Sequence, residues 1–163
     1  MATFTNTATE RRTDLLAAQG QGFAYNKKCL VSTVELAASA SGTTVGFGRI
    51  PSNARICLSS RVYNDDLATS GSPTLDIGLA EVNGNLANAD DPDAIGNGFA
   101  LSSAGTGAAS VVSEIANAGL PAWDLVASES SDPGGALEVY GSVKDAATTA
   151  TGTITLELYY YLD

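Results

Sequence analysis

The stretch "TITLELYYYLD", residues 153–163, alternates apolar and polar side chains for most of its length. One face of an extended chain would carry the apolar side chains of Ile154, Leu156, Leu158 and Tyr160. The opposite face would carry Thr153, Thr155, Glu157, Tyr159 and Tyr161. Because side chains of a β-strand point alternately to its two faces, this pattern predicts a strand buried on one side only.

The same period of two recurs along the chain before this last strand. It predicts further strands over residues 28–36, 43–50, 55–65, 74–82 and 137–146. The side chains expected to point inward are Leu30, Val34, Leu36, Ile56, Leu58, Val62, Leu75, Ile77, Leu79, Leu137, Val139 and Val143. Residues 88–98, "NADDPDAIGNG", are acidic and rich in turn formers, so they predict a long exposed loop. Asn83-Gly84 predicts a tight hairpin turn.

The segment "RIPSNARI", residues 49–56, predicts a corner between two strands. Pro51 cannot donate a ladder hydrogen bond and keeps the residue before it extended, while Ser52 and Asn53 favour a turn. Arg49 and Arg55 lie on either side of this corner. We expect them to pair with acids such as Asp65, Asp66 or Asp76 rather than to bind a ligand.

Many short strands, few helices and no alternation of strands with helices predict an all-β protein. We expect an antiparallel β-sandwich of jelly-roll-like topology over residues 29–163. Residues 1–28 are polar and poorly periodic, which favours an extended N-terminal arm that orders only by packing on something else. The 163 residues suffice for one domain with a substantial core.

The formal net charge of −10 is unevenly distributed. Residues 1–61 hold 7 basic and 3 acidic side chains, whereas residues 62–163 hold 1 basic and 15 acidic ones. The acidic part disfavours non-specific binding of nucleic acid, and nothing in the chain predicts a signal peptide or a membrane span. The basic part could dock on an acidic surface of a neighbour, or the acidity could simply keep the protein soluble.

Residues suited to catalysis are scarce. The chain has no histidine, which removes the commonest general base and metal ligand. Cys29 and Cys57 lack the spacing of a zinc or redox pair, and we expect them to be reduced, small packing residues. No glycine-rich segment has the lysine of a phosphate-binding loop. The sequence therefore predicts a protein that is not an enzyme and holds no cofactor.

Two features leave alternatives open. Asp90, Asp91 and Asp93 cluster hard oxygens as a calcium site requires, but the ligand spacing of an EF-hand is missing, so a solvated acidic loop is favoured and no metal site is assigned. The single tryptophan, Trp123, is expected to plug the core or an interface rather than to bind a ligand.

Two segments resemble a pattern found in small virion proteins of tailed bacteriophages. They are "FGRIPSNARICLSSRVYNDDLATSGSPTLDIGLAE", residues 47–81, and the segment from "PAWDLVASESSDPGG" to the final strand, residues 121–163. The resemblance is to capsid decoration, or cement, proteins. It implies a structural protein, often a homotrimer, that sits on the outer surface of the phage head and binds the major capsid protein.

We combine this resemblance with the charge pattern to name contact residues. Those expected to touch the capsid are Phe4, Arg11, Arg12, Phe23, Tyr25, Lys27 and Lys28. Outward-facing Tyr159 and Tyr161 are expected to contact another subunit. The alternative is a phage tail, fibre or head-tail adaptor protein, possibly a sandwich that binds glycans.

Overall fold

The computed structural model describes residues 27–82, 84, 86, 90–103, 109–110, 117, 119–126 and 129–162. For residues 109–110 it describes the backbone only. The expected N-terminal arm, apart from Lys27 and Lys28, lies outside these residues, as does Asn83 of the expected hairpin turn. In the described part of the chain, no helix has the length and apolar character needed to cross a membrane.

The described residues form nine strands and one short helix. The strands are β1 (Lys28–Leu36), β2 (Thr44–Pro51), β3 (Arg55–Ile56), β4 (Arg61–Asn64), β5 (Thr74–Ala80), β6 (Asp91–Ala100), β7 (Ala109–Ser110), β8 (Ala136–Lys144) and β9 (Gly152–Tyr161), and the helix is α1 (Ala122–Leu125). Sheet A has the order β1-β9-β4-β7, with β3 also paired to β9, and sheet B has the order β2-β8-β5-β6.

The pairing of the strands gives the jelly-roll topology that the sequence predicts. Strand β1 pairs with β9, β2 with β8, β4 with β7 and β5 with β6, all antiparallel. The chain thus runs as one long double ribbon, and the further pairs β4 with β9 and β5 with β8 roll this ribbon into two packed sheets. The result is an all-β antiparallel sandwich.

The core lies between the two sheets and consists of aliphatic side chains together with Phe47. Those that are large and fully buried are Ile50, Leu67, Leu75, Ile77, Leu79, Ile95, Leu101, Leu137, Ile154, Leu156 and Leu158. The inward faces predicted for β5, β8 and β9 are therefore confirmed. Trp123 on α1 is partly buried and packs against this core, as expected for a plug.

Two of the predictions about strands are wrong. Residues 91–100 form strand β6 instead of an exposed loop, and Ala94 and Ile95 in it are buried. Strand β6 is at the edge of sheet B, where a proline such as Pro92 costs no ladder bond to a further strand. Leu58 is 45% exposed instead of inward, because a turn interrupts the expected strand between β3 and β4.

The corner in "RIPSNARI" is confirmed, with a turn at Ser52 and Asn53 between β2 and β3. Arg49 pairs with an acid, as expected, but the acid is Glu138 instead of one of the three aspartates named: its Nε donates to Oε2 of Glu138 at 2.9 Å across the β2–β8 pair. At the other side of the corner, Arg55 donates to the backbone oxygen of Gly119 at 2.6 Å. Both arginines therefore help to hold the fold of the sandwich.

Asp65 ties the segment after β4 to the first residues of β9. Its Oδ2 accepts hydrogen bonds from the backbone N–H of Thr153 at 2.7 Å and from the hydroxyl of Thr153 at 2.8 Å. Both bonds lower the pKa of Asp65 below its ordinary value, and the bond from the backbone N–H of Thr153 has the larger effect. The carboxylate form therefore favours the folded state.

Replacing Asp65 with asparagine is expected to lower the stability of the protein at neutral pH. It should also make the stability fall less as the solution is acidified. Because the folded-state pKa is lowered, the stabilisation is present above the unfolded-state pKa and is lost as the pH falls through the folded-state value. Thermal unfolding midpoints measured from pH 6 down to about pH 2 should fall less in the variant. Asp124→Asn, at an exposed residue of α1, is the control. An unfolding midpoint that falls equally steeply with pH in the wild type and in Asp65→Asn would contradict the role assigned to the Asp65 carboxylate.

Candidate functional site

Exposed apolar side chains lie on the outer face of sheet A and in the turn between two of its strands. Val31 is 60% exposed, Leu58 45%, Tyr63 38% and Tyr161 37%, and these are the large hydrophobic side chains that the described residues leave exposed. Val31, Tyr63 and Tyr161 lie at outward positions of β1, β4 and β9, and Leu58 lies in the turn that joins β3 to β4. Apolar side chains gathered on one face are typical of a protein contact surface.

Polar contacts hold the side chains of this face in place. The ammonium of Lys27 lies 4.2 Å from the centre of the Tyr159 ring, a cation–π contact, and donates to the Ser59 hydroxyl at 2.9 Å. The hydroxyl of Tyr63 donates to Glu157 Oε2 at 3.3 Å. The surface is thus an ordered mixture of aromatic, aliphatic and charged groups, a composition found in protein interfaces.

Both cysteines lie on this face. Cys29 pairs in register with Tyr159, and the backbone N–H of Cys57 donates to the carbonyl of Tyr159 at 2.8 Å, so the two flank β9 from opposite sides. Both are free thiols, as expected, but Cys29 is exposed, so its expected role as a packing residue is wrong. Desolvation raises the pKa of the Cys57 thiol, which disfavours its reactive thiolate.

The structure places some of the residues predicted for partner contacts. Lys27, expected at the capsid contact, lies against Tyr159, expected at the subunit contact. These two predicted contact residues therefore belong to one surface. Lys28 is the first residue of β1, opposite Tyr160. The contact residues that lie outside the described part of the chain are Phe4, Arg11, Arg12, Phe23 and Tyr25.

Sequence reasoning missed Val31 and Tyr63 as members of this surface. Both occupy outward positions in an alternating pattern, where polar residues are the rule. Val31 in particular stands on the same face as Thr33 and Glu35, and this exception to the pattern was the available signal. Leu58 could not be found in that way, because its expected inward position depended on an unbroken strand.

Sheet B presents a contrasting outer face. Tyr140 on β8 lies between Gly46 of β2 and Gly78 of β5 in the strand register. The pKa of Tyr140 is raised to about 12. Burial of the side chain is the largest cause, and the nearby carboxylates of Asp90, Asp91, Asp93 and Asp76 add to it. The negative charges of these acids therefore converge on this part of the sheet.

A shallow groove opens beside Tyr140. Its volume is about 350 Å³, and it is lined by Thr44, Val45, Gly46, Ala80, Asp90, Glu138 and Tyr140. The small residues Gly46 and Ala80 leave the depression, while Asp90 and Glu138 supply carboxylates at its wall. We name this feature the acidic groove.

The aspartates considered for calcium instead make local hydrogen bonds. Asp90 Oδ1 accepts from the backbone N–H of Glu81 at 3.0 Å, and Asp91 Oδ1 accepts from the backbone N–H of Asp93 at 3.3 Å. Within the described ranges, no cluster of three or more potential ligands could hold a metal ion. The acids thus act here as a source of negative charge.

The topology and the two unlike outer faces define a jelly-roll sandwich with surfaces suited to binding other proteins. A chain of the solved structure titled "Cyanophage Pam1 capsid asymmetric unit" has the same fold, with a TM-score of 0.56 and 20% sequence identity. The likeness covers 85% of this chain and 86% of that one. No family model matches this chain, and no curated protein matches it.

Proposed function

We propose that the protein is a structural component of a bacteriophage virion that decorates the outside of the head and stabilises contacts between major capsid proteins. The outer face of sheet A carries this proposal, because exposed apolar side chains gathered on one face are typical of surfaces that contact other proteins. The fold shared with a chain of a phage capsid asymmetric unit supports the virion context.

In this proposal the protein is not an enzyme, and it works as a homotrimer. Tyr159 and Tyr161 contact a neighbouring subunit, while the N-terminal arm, residues 1–28, reaches the capsid through Arg11 and Arg12. The trimer joins neighbouring capsid proteins, so that an outward load is shared over a larger buried area. The predominance of acidic side chains over residues 62–163 suits a surface that faces solvent and does not bind nucleic acid.

The number of copies per particle tests this function. Particles of the phage that encodes the chain would be purified on a density gradient and analysed by quantitative mass spectrometry against the major capsid protein. We expect on the order of hundreds of copies, because closed symmetric shells repeat each surface site many times. Antibodies against the protein should also label intact particles, as its position outside the head requires.

Three other outcomes would overturn the proposal. About a dozen copies or fewer would place the protein in the tail or at the head-tail junction, where the symmetry is low. Absence from purified particles would remove the virion role altogether. Hundreds of copies that antibodies reach only after the particles are opened would place the protein on the inside of the shell.

A further inference from the structure

The outer face of sheet A has a basic rim beside its exposed apolar side chains. Lys27 and Arg61 lie on this face, and Arg55 lies opposite Tyr161 at its end. The acids on the same face are Glu35 and Glu157. Glu157 lies directly opposite Arg61 in the register, so the charge left for a partner is positive.

The outer side of sheet B has the opposite charge. Acids outnumber bases around Tyr140: the acids are Asp76, Asp90, Asp91, Asp93 and Glu138, and the bases on the neighbouring strands β2 and β8 are Arg49 and Lys144. Arg49 is already paired with Glu138 at 2.9 Å. The acidic groove lies in this surface, so it offers both negative charge and a depression into which a projecting side chain can fit.

We propose that copies of this chain associate head to tail, with the outer face of sheet A of one copy seated on the acidic groove of the next. This inference rests on the proposed function, since it assigns the two halves of the subunit contact in the homotrimer. The complementary charges favour this arrangement, because contact between two sheet A faces would bring together two surfaces of the same sign of charge.

The geometry of such a contact follows from its two unlike surfaces. A contact between different patches repeats from copy to copy, and it closes into a ring when the rotation between copies divides the circle evenly. Tyr159, which lies against Lys27, and Tyr161 both occupy outward positions of β9, and the small residues Gly46 and Ala80 leave room for them in the groove of the next copy. Both tyrosines would then be covered by apolar and acidic groups of the neighbour.

Charge reversal of each surface tests the pairing. The variants are Lys27→Glu, Asp93→Lys and the double variant, studied by sedimentation equilibrium in about 50 mM NaCl, where screening is weak. Asp93 is exposed and contributes to the negative charge at Tyr140. We expect each single reversal to raise the dissociation constant of the oligomer roughly tenfold, and the double variant to recover most of that loss.

The wild type should form one closed oligomer that weakens as NaCl is raised to about 500 mM. Asp124→Lys is the matched control for Asp93→Lys, because it makes the same change of charge. It lies on α1, which hydrogen-bonds to the corner at residues 52–54 and is not part of either outer face. It should leave the oligomer unchanged. Circular dichroism melts would show that all variants fold.

Other outcomes would overturn the head-to-tail contact. They are a wild type that stays monomeric at all concentrations, a loss caused by Lys27→Glu but not by Asp93→Lys, and a double variant no better than the two losses combined. These results are separate from the copy number: hundreds of copies per virion with no response to the reversals would reject this contact and leave the proposed function standing. A closed oligomer with the expected responses that is absent from particles would do the reverse.

Discussion

Leu156→Ala is expected to lower the free energy of unfolding by about 2–5 kcal/mol, the range for removing a leucine side chain from a packed core. Leu156 is fully buried, and it lies on β9 between Ser32 of β1 and Val62 of β4. Strands pair with β9 on both sides, so we expect the surroundings to collapse little into the cavity and the cost to lie in the upper half of the range.

The measurement is equilibrium unfolding in urea, with the slope of the transition compared between proteins. Val31→Ala is the control, because it also shortens an aliphatic side chain of sheet A. The Val31 side chain, on the neighbouring strand β1, is 60% exposed. Val31→Ala should change the stability of the monomer, measured in about 500 mM NaCl where the contact between copies is weakened, by less than about 0.5 kcal/mol. Similar losses for Leu156→Ala and Val31→Ala would mean that the inner and outer faces of sheet A have been assigned the wrong way round.

Gly78→Ala is expected to destabilise the protein by about 1–3 kcal/mol or more, as overpacking of a tightly fitted site does. A Cβ atom on Gly78 would collide with the backbone oxygen of Asp91 and would lie 2.5 Å from the Cα of Pro92. Backbone atoms cannot rotate away as a side chain does, so β6 would have to shift away from β5 to make room.

The matched control is Gly46→Ala in the same sheet. Its added Cβ would meet only Oε1 of Glu138, at 3.0 Å, and this is the end of a flexible side chain. Urea unfolding should therefore show a much smaller loss for Gly46→Ala than for Gly78→Ala. Hydrogen exchange in β6 should accelerate only in Gly78→Ala, and equal effects of the two variants would refute the close approach of β6.

The inner faces of the sandwich could be predicted from sequence because they depend on local alternation. In β5, β8 and β9 the inward positions are aliphatic apart from Gly141 and Tyr160, so the period of two identifies the buried face directly. The prediction failed at Leu58, where the apolar register continues but the chain turns. It also failed for β6, which contains turn formers such as Pro92 and Gly96 and shifts its register twice against β5.

The candidate surfaces were harder to predict because they combine residues that are distant in sequence. The outward positions of Tyr159 and Tyr161 followed from alternation, but their neighbours did not. The acidic groove brings together Gly46, Ala80 and Tyr140 from three strands, and only the strand register places them side by side. A single sequence holds no direct record of that register.

The pairing of β1 with β9 has a consequence for how the protein is made. The hydroxyls of Thr33 and Thr155 meet at 2.8 Å although 122 positions separate them along the chain. Strands β1, β3 and β4 all take β9 as their partner, so sheet A cannot assemble until β9 has left the ribosome. Contacts between such distant segments slow folding, and the nascent chain carries unpaired strand edges until synthesis reaches Tyr161.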